Sequence, residues 1–324
     1  MWLKMLQHIG NTPMIKISYK NREKINYVYT KLEWYNPTGS IKDRVAYYMI
    51  NKAKEMGKLK EGMPIIEATS GNTGISLSAL GAYYNHPVYI FMPDWVSIER
   101  VKLMKNFGAN VILIPREEGG FKKCLEKAER LAKEENGFWT NQFANQNNLL
   151  AHYETTGSEI VSNLPEKVYA FISGIGTGGT LMGIGKRLQK WDKDVKIVAM
   201  EPEKMPLISQ NKIIDNHKIE GIGDDFIPDL LDKNILDEVI LVNDDDAINM
   251  ARRLSKELGL GVGISSGANL IASVIYQERE EKPVVTVFAD DNKKYLSTDL
   301  AKDIDENKEF ISNKIQLLDY EVVS

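Results

Sequence analysis

The sequence predicts an α/β protein with mostly parallel sheet and helices on both faces. Strand-like and helix-like patterns alternate along almost the whole chain, at the intervals that strand–helix–strand units require. At 324 residues the chain is long enough for one large core or two packed lobes. Its 43% hydrophobic and 27% charged residues match an ordinary globular protein rather than a disordered or membrane-embedded one.

Taken in order, NYVYTKLE (26–33) predicts a strand and IKDRVAYYMINKAKEMG (41–57) an amphipathic helix that stops at Gly57. MPIIEA predicts a second strand, and NTGISLSALGAYY a helix after a glycine turn. PVYIFMP predicts a third strand, SIERVKLMKNFG a helix ended by Gly108, and NVILIP the strand that follows. In FKKCLEKAERLAKEE an apolar stripe at helical spacing runs through Phe121, Cys124, Leu125, Ala128 and Leu131. Cys124 therefore reads as a buried structural thiol rather than a nucleophile. VYAFISGI (168–175) opens another strand–turn–helix unit, and VKIVAME predicts the next strand. DDAINMARRLSKELG predicts a helix and KPVVTVFAD a last strand. The final stretch, DIDENKEFISNKIQLLDYEVVS, is charged with little periodicity, so residues 301–324 are expected to form a mobile or interface tail.

Several function classes are excluded. Lys plus Arg (41) nearly balance Asp plus Glu (45), which leaves no electrostatic footprint for nucleic acid or an acidic membrane. A single cysteine allows no intrachain disulfide and no cysteine metal cluster, and the four histidines show no ligand spacing, so no metal is expected. MWLKMLQHIG lacks the apolar run and cleavage site of a signal peptide, and no apolar stretch approaches a membrane span. A cytoplasmic protein is expected.

Four segments carry chemistry. NPTGSIKDR (Asn36 to Arg44) delivers Lys42 at the start of a helix, where cations are disfavoured and an amine loses its proton more readily. A neutral amine is what a Schiff base needs, although alone the lysine also reads as a solvated first-turn residue. ATSGNTG (Ala68 to Gly74) gathers hydroxyls, an amide and free backbone N–H groups at a helix start, a receptor for a small carboxylate. Alone it also reads as a polar turn with Asn72 as a cap. SGIGTGGTLMG (Ser173 to Gly183) is a glycine-rich turn between a strand and a helix. Gly174, Gly176 and Gly179 satisfy GxGxxG, and Glu201 ends the next strand, which matches a dinucleotide fingerprint. Thr177 and Thr180 suit a single phosphate equally well. GVGISSGAN (Gly261 to Asn269) sets two adjacent serines between glycines, an arrangement that also reads as a helix cap and turn.

Together and in this order, these segments resemble the cysteine synthase and cystathionine β-synthase family of pyridoxal-phosphate enzymes, with the tryptophan synthase β-like fold (fold type II). The likeness spans roughly residues 8–300. It also takes in IGNTPMIKI, MPDWVSIERVKLMKNFGA, NQFAN, EGIGDDFIP and YLST, and it sets the NAD-binding dehydrogenase reading aside. The resemblance implies a two-lobed molecule, in which residues 45–145 form a smaller lobe closing on substrate and residues 1–44 with 146–300 a larger cofactor-binding lobe. It implies that Lys42 forms the internal aldimine with pyridoxal 5'-phosphate and that Asn72 hydrogen-bonds the ring hydroxyl. Gly176, Thr177, Gly178, Gly179 and Thr180 would cradle the phosphate, and Ser266 would face the pyridine nitrogen. Thr69, Ser70, Thr73 and Gln142 would hold the carboxylate of a small amino-acid substrate.

A serine opposite the pyridine nitrogen moderates the electron demand of the cofactor, which suits α-proton removal by Lys42 with loss of a β-substituent. A nucleophile then adds to the resulting aminoacrylate. The leading reaction implied is O-acetyl-L-serine plus sulfide giving L-cysteine and acetate. The alternatives are the same machinery acting on L-cysteine to release hydrogen sulfide, with water or a thiol as nucleophile, or a serine-using cystathionine β-synthase. A homodimer is the family expectation. The chain departs from O-acetylserine-using relatives at Asp224-Asp225, where those carry a small residue and a glycine. A carboxylate there would assist a poor leaving group or activate water; Asp225, next to Phe226, is the candidate, with solvated turn residues as the plain alternative.

Overall fold

A computed structural model describes residues 5–303, 307 and 309–323. The chain opens with an antiparallel hairpin of β1 (Met14–Asn21) and β2 (Lys24–Leu32). It continues through β3 (Ile65–Ala68), β4 (Val88–Pro93), β5 (Asn110–Ile114) and the two-residue β6 (Phe138–Trp139). Then come β7 (Ala170–Gly174), β8 (Lys196–Pro202), β9 (Glu238–Val242), β10 (Val284–Phe288) and β11 (Ile315–Val322). Seven strands form one sheet in the order β11-β1-β2-β10-β7-β8-β9, and four form a second in the order β5-β4-β3-β6. Every pairing from β2 through β9 in the large sheet, and every pairing in the small one, is parallel.

The central parallel strands are short apolar runs because helices cover both faces. Every residue of β3 and β10 is buried, as is each of β7 except its terminal Gly174. The helices are α1 (Lys42–Glu55), α2 (Asn72–Tyr84), α3 (Ile98–Asn106), α4 (Gly120–Glu134), α5 (Gln146–Ala151), α6 (Gly157–Asn163) and α7 (Gly179–Trp191). They continue as α8 (Leu207–Gln210), α9 (Asp244–Leu258), α10 (Ile264–Glu280) and α11 (Ile311–Lys314). A π-turn at His152–Thr156 joins α5 to α6. In α4, Phe121, Cys124, Ala128 and Ala132 are buried, and burial pushes the Cys124 thiol up to about 12, as befits a packing residue. Asn243 caps α9 by accepting from the Asp245 and Asp246 N–H groups, and Gly259 ends it in the left-handed conformation.

The tail expected at 301–324 requires correction. Strand β11 pairs antiparallel with β1 and adds an edge to the large sheet. Asp246 accepts from the Ile311 and Ser312 N–H groups, and Arg253 donates to the Ile315 carbonyl, so α9 holds the turn that leads into this strand. Only Ile315 and Leu317 of β11 are buried, so its alternation was too brief to mark a strand. Among the described residues no helix is long and apolar enough to cross a membrane.

Candidate active site

Three parallel strands deliver their carboxyl ends to one cleft, the usual place for ligands in open α/β sheets. Strand β3 runs into the turn Thr69–Gly71 ahead of α2, β7 into the glycine-rich turn ahead of α7, and β10 into Ala289–Asp290. Lys42, Thr69, Ser70, Asn72, Thr73, Gln142, Gly176, Thr177, Gly178 and Thr180 all border that cleft.

Lys42 is delivered by a pinned loop. The Ile41 N–H donates to the Ala289 carbonyl at 2.8 Å, and Thr38 donates through backbone and hydroxyl to the buried Asp43 carboxylate. Gly39 has φ +78° and sits where a Cβ would lie 2.6 Å from Asp291 Oδ2, so only glycine fits this approach. The Lys42 amine is withdrawn from water, and this desolvation lowers its pKa against the opposing pull of Asp290 and Asp224. A shift in that direction favours the Schiff-base chemistry expected of Lys42, in which the neutral amine is the nucleophile.

The turn after β3, the expected carboxylate receptor, is held from beneath. Thr73 Oγ1 donates to Gln142 Oε1 (2.6 Å), while Gln142 Nε2 donates to the Ala68 carbonyl (3.0 Å). Thr69 Oγ1 accepts from the Gly71 N–H at 3.0 Å and shapes the turn.

The glycine-rich turn fits one phosphate. Gly178 has φ +82° and precedes α7, whose N-terminus favours an anion. A Cβ on Gly176 would lie 2.6 Å from the Gly221 carbonyl oxygen, and one on Gly179 2.1 Å from Asn148 Oδ1. Gly179 is packed behind the turn rather than on the cleft wall. Thr177 Oγ1 accepts from Asn148 Nδ2 (2.8 Å), and Thr180 Oγ1 lies 3.2 Å from Nε2 of the buried His152. Burial holds that imidazole well below its ordinary pKa, so it is neutral. Glu201, which a dinucleotide site would direct to a ribose, instead accepts from the Ile208 and Ser209 N–H groups and caps α8.

Buried polar atoms left without protein partners mark where a ligand belongs. Asn72 Nδ2 donates to Asp290 Oδ2 (2.8 Å), which also accepts from Tyr295 Oη (2.7 Å). Asn72 Oδ1 and Asp290 Oδ1 have no hydrogen-bond partner among the described residues. A free amide oxygen suits a ring hydroxyl, so the donor set fits pyridoxal phosphate. Asp290, Tyr295 and Asn148 were not anticipated. The only signal for Asp290 was a carboxylate directly after a buried strand.

Two expected residues lie elsewhere. Ser266 is fully buried and its Oγ accepts from the Ala289 N–H at 3.1 Å, whereas Ser265 borders the cleft. Successive helical residues point about 100° apart, so only one of the two serines can face it. Asp225 is exposed and borders an outer cavity of about 720 Å³, while Asp224 lies on the walls of both spaces. Desolvation and then the Asp225 charge push the Asp224 carboxyl up to about 7, against the attraction of Lys42. The loop carrying these aspartates is tied by side chains at both ends. Arg100 pairs with Glu220, and Phe226 packs against Phe121 (ring centroids 6.1 Å apart) and Phe143 (5.0 Å).

Comparison with known proteins agrees with this geometry. Residues 5–290 match the family model described as pyridoxal-phosphate dependent enzyme. A cysteine synthase of Staphylococcus aureus (strain Mu50) is 42% identical over 299 residues, covering 91% of this chain and 95% of the relative. A hydrogen sulfide-producing enzyme from Fusobacterium nucleatum superposes with a TM-score of 0.93 at 46% identity, covering 97% of this chain and 95% of that one. A cysteine synthase from Entamoeba histolytica superposes at 0.88 with 37% identity, covering 97% and 94%. A cleft bordered by Lys42, the Thr69–Thr73 turn and the glycine-rich turn thus meets a match over most of the chain, and the protein belongs to the pyridoxal-phosphate dependent enzyme family.

Proposed function

We propose that this chain exchanges the β-substituent of a small L-amino acid, as a cysteine synthase does, with O-acetyl-L-serine and sulfide giving L-cysteine and acetate. The observation that carries the reading is that Lys42, the Thr69–Thr73 turn with Gln142, and the Gly176–Thr180 turn border one cleft. Pyridoxal phosphate, when bound, supplies the electron sink that acidifies the α-proton and loosens the β-substituent. The protein supplies placement and proton transfer. Thr69, Ser70, Thr73 and Gln142 hold the substrate carboxylate, the Gly176–Thr180 turn holds the phosphate, and Asn72 takes the ring hydroxyl. Ser265, in place of Ser266, offers its hydroxyl to the ring nitrogen. The Lys42 amine, whose pKa desolvation lowers, takes the α-proton. Acetate departs without needing a proton.

A second reading is favoured by Asp224, a carboxyl on the cleft wall raised to about 7. Such a group can take a proton from attacking water, so the same machinery would convert L-cysteine to serine with release of hydrogen sulfide. The negative charge of the Asp224–Asp225 pair also disfavours an anionic nucleophile such as hydrosulfide and leaves neutral water unhindered. Closure of a 45–145 lobe, a homodimer and a cytoplasmic setting complete the proposal. The test is product analysis on purified holoenzyme offered O-acetyl-L-serine, L-serine or L-cysteine, each with sulfide, water or homocysteine. Cysteine from O-acetyl-L-serine and sulfide supports the first reading, and serine from cysteine and water the second. Absence of any β-exchanged product overturns both.

A further inference from the structure

Beneath the carboxylate receptor lies a carboxylate that the chemistry above does not use. Glu67, in β3, is 0% exposed. Withdrawing a carboxylate from water is costly unless donors compensate it, and here three donors converge on it. Its Oε1 accepts from the Ala68 N–H at 2.7 Å. Its Oε2 accepts from Thr140 Oγ1 at 2.5 Å and from the Gln142 N–H at 2.9 Å. Burial is the largest influence on the group and pushes it up to about 7, against these hydrogen bonds. If its role were only to fill space in the strand, an apolar residue would serve without that cost.

The partners of Glu67 give the cost a purpose. Gln142 is the one receptor residue that does not come from the turn after β3; it arrives from the segment after β6, with no regular element to fix it. Its side chain bridges Thr73 and the Ala68 carbonyl, and its own carbonyl accepts from Asn148 Nδ2 at 2.8 Å. The same Asn148 amide donates to Thr177 in the phosphate turn. Gln142 thus connects the two anion-binding turns, and the Glu67 carboxylate holds its backbone.

We infer that Glu67 is a positioning residue: it fixes Gln142 in register with the Thr69–Thr73 turn and so sets affinity for the substrate carboxylate. This rests on the reading of that turn as the substrate's receptor. A glutamine at 67 has one acceptor and one amide group, so it can serve Ala68 or the Thr140–Gln142 side, but not both.

The experiment compares holoenzyme and its Glu67→Gln variant in three measurements. They are binding of L-alanine read from the shift of the visible cofactor band, KM against kcat for O-acetyl-L-serine, and thermal melting with cofactor retention. Glu67→Gln should weaken L-alanine binding and raise KM by about tenfold to a hundredfold, the effect of losing a hydrogen bond to a charged group. Retention and kcat at saturation should change less than about threefold. Thr140→Val removes one donor and keeps the carboxylate, so it should weaken L-alanine binding by roughly twofold to fivefold even if the glutamine variant does not fold. Unchanged L-alanine affinity in a folded Glu67→Gln variant overturns the inference, as does lowered melting and retention with affinity intact in both variants. A parent protein that holds the cofactor but gives no L-alanine shift overturns the receptor reading itself, and the inference with it.

Discussion

The phosphate turn and the aspartate loop face the same cleft but are built differently. Gly176–Thr180 is fixed by close backbone packing: a Cβ on Gly176 would meet the Gly221 carbonyl, and Gly178 adopts a conformation that side chains rarely take. The loop Glu220–Phe226 is tied by side chains, through the Arg100–Glu220 pair and the Phe121–Phe143–Phe226 cluster. Between those anchors Gly221, at φ +92°, has no atom near the place of a Cβ, but Gly223 donates its N–H to the Ile175 carbonyl at 2.9 Å and is packed against His217 and Pro202. Glycines packed this closely tolerate little sequence change, whereas Asp224 and Asp225 lie between fixed points, where a side chain can change without moving the backbone. On the proposed reading the glycine turn would serve the cofactor, and the aspartates would bear on the choice of nucleophile.

The largest expected effect lies in the loop. Asp224→Asn should depress conversion of cysteine to serine by about a hundredfold to ten-thousandfold, the usual worth of one placed base. Asp225→Asn should stay within about threefold, since its carboxylate is exposed and screened. A carboxyl titrating at about 7 is protonated below that pH and a base above it. Hydrolysis should therefore rise as pH passes upward through 7 and level off above, and the Asp224→Asn profile should lack that rise. Equal, small effects of both substitutions, measured as initial rates on cysteine, would return the pair to solvated turn chemistry.

In the cradle, Gly176→Val should cost about 1–3 kcal/mol through overpacking, because its neighbour is backbone and cannot rotate away. Cofactor affinity, read by equilibrium dialysis, should fall about tenfold to a hundredfold. Normal affinity would mean that the cradle is looser than its packing implies. The smallest contrast is between the adjacent serines. Ser266→Ala should lower stability by about 1 kcal/mol through the lost Ala289 hydrogen bond and leave the cofactor spectrum unchanged. Ser265→Ala should shift the spectrum, and the reverse pattern would restore Ser266 to the ring nitrogen.

What was legible in the sequence follows the same division. Strands β3, β7 and β10 read clearly because burial on both faces makes them continuous apolar runs. The turns after β3 and β7 stood out by their glycines and hydroxyls, but each alone allowed a second reading, a capped polar turn or a dinucleotide site, and only their shared order along the chain chose between them. Strands β1, β6, β9 and β11 escaped: β1 is only partly covered toward its end, β6 is two residues long, β9 is half-covered, and β11 is buried at only two positions. Which of Ser265 and Ser266 faces the cleft depends on helix phase, and which of Asp224 and Asp225 does so depends on the path of a glycine loop. Neither is fixed by residue type. Asp290 reaches Asn72 across 218 positions of chain, a contact that only the packing of the two sheets creates.

The central claim is that Lys42, desolvated at the start of α1, is the residue that bonds the cofactor. Borohydride reduction of the purified yellow protein, followed by peptide mapping with mass spectrometry, tests it directly. A pyridoxyl group on Lys42 alone is the predicted result, and a group on any other lysine, or none, would contradict the account.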